Sequence, residues 1–80
     1  MSYFVYILKC NDGSFYTGST NNLTKRLHAH NHLKNGAHYT KMRRPVELIY
    51  SEKISTYKKV RQREAEIKRF DKKDKLALIS

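Results

Sequence analysis

The chain has 80 residues, with 17 Lys plus Arg against 7 Asp plus Glu and a formal net charge of +10. A domain of this size buries only about 60% of the surface its unfolded chain exposes, so residues 1–80 are read as one domain with one modest core. A hydrophobic content of 39% excludes a disordered tail, and the single cysteine, Cys10, excludes an intramolecular disulfide and a cysteine-based zinc site. The charge exceeds the magnitude of about 2–8 that keeps a small domain soluble. It runs through the chain, from Lys25-Arg26 to Lys75, and so belongs to the folded body. Such a surface concentrates anions, and its usual partners are nucleic acid or an anionic membrane. No segment approaches the ~18 apolar residues of a membrane span, and no charged leader precedes an apolar run. The expectation is a cytoplasmic protein without a membrane partner.

In chain order, Tyr3 to Cys10 reads as a strand that is apolar on both faces apart from Lys9, which predicts an interior position in a sheet covered on both sides. Asn11-Asp12-Gly13-Ser14 is a turn, and Phe15 to Ser19 returns antiparallel to the first strand. A two-residue loop would put Tyr6 and Tyr16 on opposite faces. A three-residue loop with Gly13 left-handed pairs Cys10 with Ser14, sets Leu8 opposite Tyr16 and brings the two tyrosines to one face; this second geometry is adopted. Asn21 or Asn22 caps a helix running to about Lys34, with Leu23, Leu27, His30 and Leu33 inward and Asn35-Gly36 as its stop. Ala37 to Arg44 is a basic connector. Val46 to about Lys53 forms a third strand with Val46, Leu48 and Tyr50 on one face. Ser55 or Thr56 caps a second helix over Tyr57 to about Phe70, and Asp71 to Leu78 forms a short last helix whose apolar end packs back on the body. The fold class is α+β: a small three-stranded antiparallel sheet flanked by helices, in the order β-β-α-β-α-α.

Three sets of residues stand out chemically. Tyr57, Val60, Glu64 and Ile67 keep the spacing of a core-facing helix stripe, yet Glu64 is an acid. A carboxylate aimed at a core is paired with a cation or bound to a metal, and both readings stay open. Arg26 and His30 share a helix face four residues apart; Arg suits phosphate and His can move a proton. His28 and His32 have the same spacing, but a zinc site lacks further ligands. Gly18, inside a strand, marks a close approach of backbone or ligand.

Val5-Tyr6-Ile7, Tyr16-Thr17-Gly18, Ser19-Thr20-Asn21-Asn22-Leu23, Lys25-Arg26-Leu27 with His30, Gly36-Ala37 with Tyr39-Thr40, Arg44-Pro45-Val46-Glu47-Leu48 and Arg63-Glu64 with Ile67-Lys68 occur in that order. Over nearly the whole chain this set resembles the GIY-YIG endonuclease superfamily, in particular its short bacterial members related to a structure-selective nuclease subunit of eukaryotes. The resemblance implies a metal-dependent endonuclease that hydrolyses phosphodiester bonds of nucleic acid, with DNA the expected substrate, RNA left open, and selection by structure rather than sequence. It implies that Tyr6 and Tyr16 are the motif tyrosines, one of them activating or orienting water, that Arg26 contacts the scissile phosphate and that His30 is its partner on the helix. Glu64 would hold one divalent cation, Mg2+ or Mn2+. Tyr39 falls where some relatives carry a second histidine, and the asparagine that some homing-type relatives use after the last helix has no counterpart. Cations around a tyrosine are expected to lower its pKa toward that of a usable base. A non-catalytic nucleic-acid-binding module and a subunit dependent on a protein partner are the alternatives; the sequence leaves the oligomeric state open.

Overall fold

The strand Tyr3–Lys9 (β1) alternates residues that are apolar on both sides, and it occupies the middle of a three-stranded antiparallel sheet of order β2-β1-β3. The structure, a computed structural model of the chain, describes residues 2–33 and 37–79. β2 is Phe15–Thr20, α1 Leu23–His32, α2 His38–Lys41, β3 Glu47–Ile54, α3 Tyr57–Lys68 and α4 Lys72–Ile79. The expected order holds, and the connector contains the additional single turn α2.

The hairpin turns through three residues. Cys10 donates its amide to Ser14 O at 2.8 Å, Gly13 donates back to Cys10 O at 2.9 Å, and Gly13 has φ +84°. Only glycine takes that conformation without strain, and it fixes the register Leu8 opposite Tyr16 and Tyr6 opposite Gly18. Tyr6 and Tyr16 therefore share a face.

β1 separates two apolar clusters. Val5 and Ile7 meet Val60 and Ile67 of α3, flanked by Phe15, Ile49 and Tyr50. Tyr6, Leu8 and Cys10 meet Val46, with Tyr16, Leu23, Leu27 and Leu48 around them. α1 and α2 thus cover one face of the sheet and α3 the other. The expectation that Val46, Leu48 and Tyr50 share a face is corrected: β3 carries a bulge, with Ile7 opposite Tyr50 but Leu8 opposite Leu48. Ile49 is the extra residue, and it returns Tyr50 to the α3 side.

Both long helices start on side-chain caps: Asn22 accepts from the Lys25 amide at 3.0 Å, and Thr56 from the Lys59 amide at 3.2 Å. α1 ends at His32, earlier than expected, and Leu33 is extended and 40% exposed rather than part of the inward stripe. The Asn35-Gly36 stop lies outside the described residues. Tyr57 is also outside the buried stripe of α3, at 62% exposed, with its ring edge-on to Tyr3. α3 ends at Lys68 rather than near Phe70, and Asp71 caps α4 by accepting from the Asp74 amide at 2.9 Å. Leu78 packs on the α3-side core while Leu76 stays half exposed, so α4 returns to the body along one edge only.

Candidate active site

Gly18 is where the site begins. A Cβ built there would lie 2.5 Å from the Tyr6 hydroxyl oxygen and 3.2 Å from the Tyr16 ring. The close approach expected at this glycine is that of the Tyr6 phenol, which crosses from the central strand onto the edge strand. Tyr6 is almost wholly buried, and its hydroxyl lies 2.8 Å from His30 Nε2. The other ring nitrogen of His30, Nδ1, lies 2.7 Å from Thr40 Oγ1, which in turn contacts Ala37 O at 2.9 Å. A continuous buried chain of polar contacts therefore runs from the sheet edge through α1 into α2.

Aromatic rings line this chain. His30 is edge-on to Tyr6 and Tyr16, with centroids 5.8 and 5.2 Å away. Tyr39 stacks on Tyr16 at 5.9 Å, and the Arg43 guanidinium lies 3.9 Å from the Tyr39 ring centre. Arg43 is held there by Asp12 of the hairpin turn at 3.0 Å.

The charges of the site act on its titrating groups. Burial pushes Tyr6 up to about 12, against the opposing hydrogen bond and charge of Arg26. The expectation that basic neighbours lower the pKa of a site tyrosine is corrected for Tyr6, because desolvation of a phenolate this deep outweighs one guanidinium. Burial, with the charges of Arg26 and Arg44, pushes His30 down to about 4. At neutral pH both groups are uncharged: a phenol against a neutral imidazole.

Glu64 is placed differently. It sits on α3, behind the sheet, and accepts from Ser19 Oγ of the edge strand at 2.6 Å. Ser19 pairs with Val5 and so faces α3, whereas its neighbour Gly18 faces Tyr6. Lys68 Nζ lies 2.9 Å from Glu64 Oε2, and Arg61 lies 3.4 Å from Oε1. Burial alone would raise the Glu64 pKa, but the bonds from Ser19 and Lys68 and the charges of Lys68 and Arg61 hold it below the usual carboxylate range. Its charge is also felt by Tyr6.

Of the six residues singled out in the sequence, Tyr6, Tyr16, Arg26, His30 and Tyr39 meet on the α1 side. Glu64 lies on the α3 side, bonded to Ser19 of the β2 edge, and its charge still acts on Tyr6. Thr40, Ser19 and Arg44 were missed as site neighbours. Arg44 donates to the carbonyls of His30 at 2.6 Å, Leu33 at 2.6 Å and Ala29 at 3.2 Å, gripping the end of α1. No local spacing announces these contacts; each depends on how the connector folds back.

Among the described residues no three potential ligands gather for a metal ion, which leaves the exposed His28–His32 pair, with rings 4.9 Å apart, without further ligands. The donor set still fits one hard cation. Mg2+ retains several waters and binds proteins through one or two carboxylates. Glu64 is ionised, and two of its three partners, Arg61 and Lys68, are cations whose side chains are more than half exposed.

A sheet order β2-β1-β3, two tyrosines on one face and a helix carrying Arg and His define a class: residues 2–77 match the GIY-YIG catalytic domain, and the chain belongs to that family, which supports a nuclease-type function. Its similar proteins include the UPF0213 protein of Staphylococcus epidermidis, 51% identical over 77 residues that make up 96% of this chain and 93% of the relative. A UPF0213 protein of Syntrophus aciditrophicus is 50% identical, over 95% of this chain and 87% of the relative. The solution NMR structure of the UPF0213 protein BH0048 from Bacillus halodurans superposes with a TM-score of 0.63 at 34% identity, covering 99% of this chain and 83% of that one. That of a protein from E. faecalis gives 0.65 at 40% identity, covering 94% and 79%.

Proposed function

We propose that the protein is a divalent-cation-dependent endonuclease that hydrolyses phosphodiester bonds in DNA and selects its substrate by structure rather than base sequence. The observation that carries this reading is the Tyr6–His30 contact, 2.8 Å long, between a phenol and an imidazole that are both neutral at pH 7. Such a pair moves a proton without building a free phenolate. As water attacks phosphorus, Tyr6 Oη takes a proton from it and passes its own to His30 Nε2. The new P–O bond forms, the bond to the leaving oxygen breaks, and that oxygen collects a proton from solvent. His30, whose pKa of about 4 disfavours the cation, returns its added proton through Tyr6 to solvent. Tyr16, more exposed than Tyr6, orients the water from the same face. Arg26 neutralises charge on the phosphoryl oxygens in the transition state. Glu64 would hold the cation, whose chemistry is to polarise the phosphate and stabilise the leaving oxygen. Independence of base sequence is supported by a charge of +10 that engages phosphates of any sequence.

The test is incubation of the purified protein with labelled flapped, branched and single-stranded DNA, with Mg2+ and with EDTA. Cleavage of a flapped or branched substrate that requires Mg2+ is expected. No product from any of them at micromolar protein overturns the reading. One observation favours a second reading, a non-catalytic nucleic-acid-binding module: both Glu64 oxygens already have partners in Ser19, Arg61 and Lys68. That module would bind DNA equally well in EDTA and cut nothing.

A further inference from the structure

Which way protons point along the Tyr6–His30–Thr40 chain follows from its two ends. At the first end, Arg26, which can only donate, acts on the Tyr6 hydroxyl and opposes the upward push of burial on its pKa. The buried phenol keeps its own hydrogen at neutral pH, and that hydrogen needs an acceptor. His30 Nε2, at 2.8 Å, is that acceptor, so it carries no hydrogen. A neutral imidazole then has its hydrogen on Nδ1, where Thr40 Oγ1 stands at 2.7 Å. At the second end, the Thr40 hydroxyl sends its own hydrogen to Ala37 O at 2.9 Å, a carbonyl it shares with the amides of Thr40 and Lys41 at the start of α2. In this arrangement every hydrogen along the chain has an acceptor. Both His30 and Thr40 are fully buried, so water is not available as a substitute partner.

We infer that Thr40 is a positioning residue for the cleavage reaction: by accepting the His30 Nδ1 hydrogen it holds the ring in one tautomer and leaves Nε2 open to receive the proton of Tyr6. A histidine's second nitrogen sets what the first can do, and here the setting group is a neutral hydroxyl anchored to a helix start rather than a carboxylate. An unpaired buried Nδ1–H is costly, so loss of the acceptor drives the ring to the other tautomer, in which Nε2–H donates to Tyr6 and the proton path is closed. This inference rests on the nuclease reading for its catalytic consequence but not for the tautomer itself.

Long-range 1H–15N correlation on uniformly labelled protein at pH 7 reads which ring nitrogen of His30 bears the hydrogen, and steady-state cleavage of a flapped DNA reads the reaction. Wild-type protein is expected to show protonated Nδ1 and bare Nε2. Thr40→Val, nearly isosteric, is expected to show protonated Nε2 and a kcat lower by about 10- to 100-fold with KM unchanged. Thr40→Ser is expected to restore both. A wild-type spectrum with hydrogen on Nε2 overturns the inference and needs no variant, so poor folding of Thr40→Val cannot shield it. A folded Thr40→Val protein that keeps the wild-type tautomer and kcat overturns it too. If wild-type protein cuts no DNA, the spectrum still decides the tautomer; if it cuts with the wrong tautomer, the nuclease reading survives and this inference falls.

Discussion

Tyr6 and Gly18 form a single unit at the scale of the residue, one supplying a ring and the other the space for it. A methyl group at position 18 would meet the Tyr6 oxygen at 2.5 Å, and a buried ring fixed at its far end by His30 has little room to yield. Gly18→Ala is therefore expected to destabilise the fold by about 1–3 kcal/mol and to break the Tyr6–His30 contact. Urea denaturation and the His30 ring nitrogen shifts measure the two effects, and an alanine variant with wild-type stability and spectrum would contradict them. His30 gives a pH signature. Its folded pKa of about 4 lies below the 6.5 of the unfolded chain, so the unfolded state takes up the proton first as pH falls. Stability associated with this group is complete above pH 6.5 and is lost as pH drops through about 4. The loss between pH 7 and pH 4.5 is roughly 2 kcal/mol, measurable by urea melts at the two values. In His30→Asn this window should flatten, leaving the carboxylate losses at lower pH.

At the scale of the element, the end of α1 is closed by the Leu33 amide donating to Ala29 O at 3.1 Å and is held further from outside the helix. Arg44 donates to three of the last carbonyls, and Asn31 ties the helix to the start of β3 through the amide and carbonyl of Val46, at 2.7 and 3.1 Å. Arg44→Gln is expected to cost about 2–3 kcal/mol and to loosen the turn that carries His30, with Arg44→Lys recovering little because an ammonium cannot fork across three acceptors. Chemical denaturation checks the first; amide exchange over α1 checks the second. These clamps also mark where the sequence stopped being informative. β1, the hairpin turn and, to within one residue, the caps at Asn22 and Thr56 were legible because each rests on local chemistry: a doubly apolar run, a left-handed glycine, a short oxygen-bearing side chain. The bulge at Ile49 and the early end of α1 were not, since both are set by what packs across from them. The two tyrosines could be placed together from the loop length alone. Thr40 could not, because its contact with His30 spans the connector and has no periodicity.

For the whole molecule, the sheet is a partition. The Tyr6–His30–Thr40 chain lies on one side and Glu64 on the other, and the β2 edge joins them, since Gly18 and Ser19 are consecutive residues facing opposite ways. A phosphodiester backbone following that edge would have the phenols and Arg26 on one flank and Glu64, Arg61 and Lys68 on the other. This gives the charge a division of labour: most of the +10 attracts phosphate wherever it lies, while Glu64 is the one acid whose loss should affect cutting without affecting attraction. The most direct measurement compares wild-type and Glu64→Ala protein on one flapped DNA in Mg2+, recording affinity and single-turnover rate on the same sample. The account expects affinity unchanged or slightly tighter and a cleavage rate lower by roughly 1,000-fold, the equivalent of the several kcal/mol that a bound cation contributes to the transition state. Cleavage by Glu64→Ala at the wild-type rate would contradict it.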